Sequence, residues 1–216
     1  MTNIMLVDDH DLVRTGVKRL LEDHGEFTIV AEAKNGEEAI DQLRKTDPQV
    51  VLMDINMPGI GGLEATPKLL RQKADLKIII ISMHTDELYP QRLLKAGAMG
   101  YLTKGSRIDE IVHAIHEVLA NRHYITPEIA QRLALSQVDD GGESPFESLS
   151  SRELQVLLLM MDGKKVVEIS DELCLSPKTV STYRHRLHDK VGVKSDIELA
   201  RMALFYGLIE NVPFKN

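Results

Sequence analysis

Five polar residues stand where short apolar runs stop. The run at 4–7 ends in Asp8 and Asp9, that at 50–53 in Asp54, and that at 78–81 in Ser82. The run at 99–102 passes through Tyr101 to Lys104. Clustered carboxylates repel one another unless a cation sits among them. Oxygen ligands without a His or Cys partner suit Mg²⁺. An ammonium and a hydroxyl would serve the remaining oxygens of a bound anion. The set fits a carboxylate nucleophile that accepts a phosphoryl group, with Asp54 as acceptor because the other acids are free to hold the metal. Singly, each residue has a plainer reading. Asp8 and Asp9 would cap a helix starting near Leu12, Lys104 would be solvated surface, and Tyr101 an ordinary half-buried tyrosine. The order of all five along a repeating pattern carries the specificity.

That pattern has to place them. Apolar runs at 4–7, 27–31, 50–53, 78–81 and 99–102 have the length of buried strands, and the IIII at 78–81 is β-branched throughout. Helical stripes lie between and after them: Leu12, Val13, Val17, Leu20 and Leu21; Ala39, Ile40 and Leu43; Leu63, Leu69 and Leu70; Leu88, Leu93 and Leu94; Ile108, Ile111, Val112, Ile115 and Leu119. Five strand–helix units predict a parallel sheet covered on both faces. In such a sheet ligands bind beyond the carboxyl ends of the strands, where the five polar residues fall. Pro67, in LEATPKLL, predicts a third helix that either starts late, near Thr66, or is kinked.

This first domain is expected to end near residue 121. Residues 122–147 read as a linker holding one short helix, with Thr126 as cap and Pro127 at its first position. Residues 148–216 read as four short helices, two of them opened by capping boxes at Ser150/Glu153 and Ser195/Glu198. The formal charge of −7 is uneven: −5 over 1–120, −3 over 121–147 and +1 over 148–216. The acidic total argues against a wholesale polyanion binder but not against one basic face. That face is 176–194, SPKTVSTYRHRLHDKVGVK, with five Lys or Arg against one Asp. A helix at 167–173, a tight turn at Cys174–Leu175 and a second helix opened by Ser176-Pro177 read as helix-turn-helix. Val180, Leu187 and Val191 mark its buried side, with Tyr183 beside them. Lys178, Ser181, Thr182 and His185 are candidates for base edges, and Arg184, Arg186, Lys190 and Lys194 for phosphates. The lone cysteine, Cys174, permits no internal disulfide and fits a reducing cytosol; it is expected in the core. No run of about 20 apolar residues implies a membrane span.

LVDDH, LMDINMPG, IIIIS and GYLTK resemble the receiver-domain pattern of bacterial two-component response regulators, and LSSRELQVLLLMMDGKKVVEISDELCLSPKTVSTYRHRLHDKVGV resembles the LuxR-type DNA-binding domain. Together they resemble the NarL/FixJ family, in particular its GacA/UvrY-like members. The resemblance implies a CheY-like (flavodoxin-like) receiver followed by a smaller all-α helix-turn-helix domain. It makes Asp54 the phosphoacceptor, with Mg²⁺ held by Asp9, Asp54 and the Asn56 carbonyl and assisted by Asp8. It makes Ser82 the switch hydroxyl, Tyr101 the coupled aromatic and Lys104 the phosphate-facing lysine. It also implies a sensor histidine kinase as donor, double-stranded DNA as target, a dimer built on the last helix at 197–204, and a cytoplasmic protein that is no conventional enzyme. The sequence departs from the pattern at KKVVEI, where small polar and amide residues are usual, and at Tyr183, where His is more common. Two other classes remain open on residues alone. A relay or interaction module would use the basic helix for protein or RNA. A haloacid-dehalogenase-like hydrolase would need a second carboxylate near the nucleophile, which Asp54-Ile55-Asn56 lacks.

Overall fold

The computed structural model describes residues 1–83, 88–136, 144–206, 208 and 209. They divide into two compact units, the first of residues 1–83 and 89–131 and the second of Leu88, 132–136, 144–206, 208 and 209.

The first unit alternates strand and helix: β1 (Thr2–Val7), α1 (Asp11–Asp23), β2 (Phe27–Ala33), α2 (Gly36–Leu43), β3 (Val50–Met53), α3 (Gly62–Gln72), β4 (Lys77–Ser82), α4 (Leu88–Lys95), β5 (Gly100–Thr103) and α5 (Ile108–Leu119). All strand pairs are parallel, in the order β2-β1-β3-β4-β5-β6. The sixth strand, β6 (Tyr124–Ile125), corrects the expected count of five. Two residues are too few to show a period, and β6 exists because Tyr124 and Thr126 donate backbone hydrogen bonds to the free edge of β5 and its approach. The helix after it, α6 (Pro127–Ser136), has Pro127 at its start as expected. The Thr126 hydroxyl, however, is buried without a hydrogen-bond partner among the described residues, so it is not the cap.

Residues of β1, β3, β4 and β5 pack against α5 and Leu21 of α1 in one apolar cluster. The stripe expected on α1 is only partly buried. Leu21 is enclosed, whereas Leu12, Val13 and Leu20 are exposed and Arg14 takes a buried place. Of the α4 stripe, Leu93 is fully buried; the side chain of Leu88 lies outside the described residues.

The register lines up the functional ends. Val7 pairs with Met53, and the next residue on, Asp54, donates its backbone N–H to Val7. Ser82 pairs with Thr103, and the Lys104 N–H donates to Ser82. The chain then turns sharply after Asp54. Gly59 takes a left-handed φ of +67°, and the Glu37 carboxylate accepts the Ile60 N–H at 2.9–3.0 Å. Helix α3 starts at Gly62, five residues before Pro67. The late start near Thr66 is thus not seen, and the proline sits inside the helix. An early start is needed because Gly62 seats α3 against the β3 end: its N–H donates to Ile55 O at 2.9 Å.

In the second unit the end of α6 is followed among the described residues by a 3₁₀ turn (Pro145–Ser148), α7 (Ser151–Met161), α8 (Val166–Glu172), α9 (Pro177–Val191) and α10 (Asp196–Phe205). Ser150 and Glu153 form the full capping box, and Ser176 caps α9 through the Thr179 N–H. At α10 the box is incomplete: Ser195 accepts from Glu198 N–H, but the Glu198 carboxylate takes the Lys194 N–H instead. Val180, Leu187 and Val191 are buried and Tyr183 is half-buried. Cys174 is exposed, not in the core, and adopts φ +53°. The turn from α8 to α9 needs a left-handed residue there, and Leu173 fills the core instead.

A Cβ on Gly62 would lie 2.3 Å from the Asp54 carbonyl oxygen, a backbone atom that cannot swing away. Gly16, mid-helix in α1, has nothing within 4 Å of the same position. Gly62→Ala is expected to destabilise the first unit by about 1–3 kcal/mol. Gly16→Ala should stabilise it by about 0.5–1 kcal/mol. Urea titration of both variants beside the parent checks the opposite signs.

Candidate functional site

Asp54 sits at the carboxyl end of β3 with only 4% of its surface exposed. The neighbouring β1 leads to its own aspartates, and the chain order reverses around β1, with β2 on one side and β3 on the other. A crevice opens at such a switch point. Lys104 bridges two of the acids: its Nζ lies 2.7 Å from Asp54 Oδ2 and 3.0 Å from Asp8 Oδ2. Asp54 Oδ1 accepts the Ile55 N–H at 2.7 Å. Burial pushes the Asp54 carboxyl above its ordinary value, and the Asp8 charge adds to this. The Lys104 ammonium and the Ile55 N–H pull it back only in part. Burial pulls the Lys104 ammonium down, but Asp54 and Asp8 together outweigh that and leave it raised.

One lysine cannot balance three carboxylates. Ligand atoms of Asp8, Asp9, His10 and Asp54 all lie within 4.8 Å of one another. Asp9 Oδ1 is buried without a well-aligned hydrogen bond, although the His10 ring nitrogen lies 2.8 Å away. A buried anionic oxygen with no donor is costly. The residues therefore fit a divalent cation, which would supply the missing partner.

The remaining expected residues are distributed around this point. Ser82 and Tyr101 are enclosed, at 1% and 0% exposure. Asn56 stands at the exposed edge of the loop after Asp54. Three residues were not anticipated from sequence. Arg14 donates to the Asp8 carbonyl at 2.7 Å and pairs with Asp11 and Glu32, pinning the loop that carries the aspartates. Glu37 holds the loop after Asp54. His10 touches Asp8 and Asp9. His10 had a visible signal, being next to both acids in LVDDH; Arg14 and Glu37 look like surface charges until the chain folds.

On the second unit, Lys178, Ser181, Thr182, His185, Arg186 and Lys194 are exposed. The Ser181 and Thr182 hydroxyls donate back to the carbonyls of Pro177 and Lys178, leaving their lone pairs outward. Arg184 and Lys190 are engaged within the unit. Arg184 forms a two-pronged pair with Asp196, which His188 also contacts at 2.9 Å. Lys190 reaches Glu153, itself 3% exposed, at 2.7 Å. Burial raises the Glu153 carboxyl, but Lys190 and the Ser150 donors outweigh it and hold the group low. No helix among the described residues is long and apolar enough to cross a membrane.

Comparison with known proteins agrees with this geometry. Residues 4–116 match the response regulator receiver domain, and residues 147–203 match the bacterial regulatory proteins of the luxR family. The chain is 48% identical over 210 residues to the response regulator GacA of Pseudomonas protegens, covering 97% of this chain and 99% of that one. It is 50% identical over 209 residues to the response regulator UvrY of Escherichia coli, covering 96% of each. Among solved structures, RcsB from Salmonella enterica serovar Typhimurium, bound to promoter rprA in the presence of phosphomimetic BeF₃⁻, aligns with TM-score 0.64. That pair is 26% identical and covers 93% of this chain and 97% of the other. A LuxR-family two-component response regulator from Aurantimonas aligns with TM-score 0.62 at 41% identity, covering 64% of this chain and all of that one.

The raised Asp54 carboxyl has a consequence for stability. A folded-state value above the unfolded 3.8 means the protonated form is the one the fold favours. That stabilisation is present below the unfolded value and is lost as pH rises through the folded one. Asp54→Asn is therefore expected to raise the stability of the first unit at pH 7, with the gain shrinking toward pH 4. Lys104→Ala should do the reverse at pH 7, costing about 3 kcal/mol by leaving two buried carboxylates without their counter-charge. Urea unfolding of both variants at pH 7 and pH 4 checks the signs.

Proposed function

The chain belongs to the response regulators that join a receiver to a LuxR-type DNA-binding domain, and on that premise we propose that it is switched by phosphorylation at Asp54. The observation that carries this reading is the buried Asp54 carboxylate, clasped by Lys104 beside Asp8 at the end of the sheet. Residues 1–121, with β6 added to the sheet, act as receiver, 122–147 connect, and 148–216 bind DNA.

Phosphoryl transfer from a phosphohistidine of a sensor kinase makes an Asp54 oxygen–phosphorus bond and breaks the phosphorus–nitrogen bond, and the imidazole leaves. Asp9, Asp54 and the Asn56 carbonyl, with Asp8 assisting, would hold Mg²⁺, which would shield the incoming phosphoryl charge. Lys104, already within reach of Asp54, neutralises another oxygen of the transferred group. Ser82 supplies a hydroxyl to a third, and the space beside Tyr101 changes with it. The receiver thus promotes its own phosphorylation without being a conventional enzyme. The added charge biases a two-state equilibrium that is read at the second domain.

There α9 enters the major groove of duplex DNA, with Lys178, Ser181, Thr182 and His185 at base edges and Arg186 and Lys194 at phosphates. Arg184 and Lys190, expected at phosphates from sequence, serve here by fixing α9 to Asp196 and Glu153. Two copies paired through α10 would read two half-sites. Ile197, 75% exposed, and Phe205, 83% exposed, are apolar faces available to that pairing. Kinase and DNA are both met in the cytoplasm.

Incubation with a sensor kinase carrying labelled phosphohistidine, plus Mg²⁺, should label the parent chain and leave Asp54→Asn unlabelled. Retention of label in Asp54→Asn would refute the acceptor assignment. On DNA, Arg186→Ala should weaken binding evenly across sequences and reduce the slope of log K against log salt by roughly 0.9. Lys178→Ala should instead alter base preference, as read by binding to a panel of duplexes.

A further inference from the structure

We propose that His10 is an additional ligand of the carboxylate site, and that it shifts the site's preference from Mg²⁺ toward ions such as Co²⁺ and Zn²⁺. The proposal rests on reading Asp9 and Asp54 as metal ligands. From sequence the site looked like an all-oxygen one; the folded chain brings a nitrogen into it.

The position of His10 is built. Its backbone N–H donates to Asp8 Oδ1 at 2.8 Å, which bends the chain between β1 and α1 and turns the ring back over the aspartates. Ring Nδ1 then lies 2.8 Å from Asp9 Oδ1 and 3.2 Å from Asp8 Oδ1. Adjacent ligands of a six-coordinate ion with bonds near 2.1 Å are about 3.0 Å apart. The two separations match that edge, and the wider group within 4.8 Å includes Asp54.

His10 has one plainer contact: Nδ1 lies within hydrogen-bonding distance of Asp8 Oδ1 at 3.2 Å, and a proton held there must leave before that nitrogen can ligate an ion. His10 occupies the N-cap position of α1, yet its side chain makes no capping hydrogen bond. The ring is 62% exposed, so it is not held by packing and an entering ion can reach it. The close approach to Asp9 Oδ1 lacks hydrogen-bond alignment, since that oxygen is buried without a partner. On the Asp9 side the two atoms stand together with no aligned proton between them, as a shared cation requires.

The chemistry of the donor set gives the direction. Carboxylate and carbonyl oxygens suit Mg²⁺, whereas imidazole suits Zn²⁺ and its neighbours, and affinity rises along the first-row series toward them. An imidazole also fills a coordination position that an all-oxygen site leaves to water or to a phosphoryl oxygen. An ion held with His10 would therefore bind more tightly and admit the phosphoryl group less readily. His10 becomes a determinant of metal choice, and Zn²⁺ or Co²⁺ becomes a competitor of Mg²⁺ at the switch.

The test uses the full chain with Co²⁺ and Mg²⁺ alone. Co²⁺ binding is followed by its visible absorption, and Mg²⁺ binding by displacement of Co²⁺, in the parent, His10→Ala and Asp9→Asn. His10→Ala is expected to weaken Co²⁺ on the order of tenfold while Mg²⁺ changes less than about twofold. Substoichiometric Co²⁺ should broaden the His10 ring signals first among those of the eight histidines. Unchanged Co²⁺ affinity in His10→Ala, or an equal loss for both ions, overturns the proposal. If Asp9→Asn weakens both ions while His10→Ala alters neither, the metal site stands and only His10 is removed from it. If Asp9→Asn binds both ions as the parent does, the reading of the metal site fails and the role of His10 with it.

Discussion

Everything at the first site depends on one ammonium shared between two buried carboxylates. Lys104 comes from the end of β5, Asp8 from the end of β1 and Asp54 from the end of β3, and the bridge spans all three. Asp54 is held above its ordinary value even with Lys104 in contact, so the bridge is incomplete compensation. The site retains unbalanced negative charge in a place where water cannot screen it well. That residual charge is what fits the site to a divalent cation. A fully neutralised carboxylate would be stable and inert.

Such a bridge demands tight control of the strand ends. The register of β1 with β3 sets Asp8 beside Asp54, and that of β3 with β4 and β4 with β5 carries Lys104 two residues past their level, where its side chain reaches back to both. The loop beyond Asp54 is then fixed by contacts that leave no room for adjustment. Gly62 packs on the Asp54 carbonyl, and Gly36 packs on Ile60, with its own N–H donating to Ile60 O at 2.7 Å. Glu37 closes the same loop from α2. The cost of holding carboxylates together is thus met by backbone packing around them, and the loops that look irregular are the most constrained parts of the unit.

In the second unit the same logic separates structural charge from functional charge. The five basic residues of 176–194 look equivalent along the chain. Folding sorts them. Lys190 neutralises Glu153 inside the capping box of α7, and Arg184 ties α9 to the first turn of α10 through Asp196. Those two are paired within the unit, Lys190 while still exposed, and Lys178, Arg186 and Lys194 are exposed as well.

Much of this protein was legible in its sequence, and for a physical reason. Strand and helix follow from the period of apolar residues, caps from Ser-x-x-Glu and Ser-Pro, and the chemistry from Asp8, Asp9, Asp54, Ser82 and Lys104 falling at the ends of strands in the right order. These are local signals, carried by residues near one another in the chain. Three kinds of feature were not legible. β6 is too short to have a period and forms only because β5 offers an unpaired edge. The inward Arg14, the outward Cys174 and the division of labour among the basic residues of α9 depend on partners elsewhere in the chain. Pro67 inside α3 could not be reconciled with an early helix start until Gly62 was seen packed against Asp54. The sequence by itself determined which groups would stand at strand ends, because hydrophobic periodicity marks where each strand lies and stops. Only the tertiary structure decided which charges are spent on holding the fold and which are left to act, because that depends on distances between residues far apart in the chain.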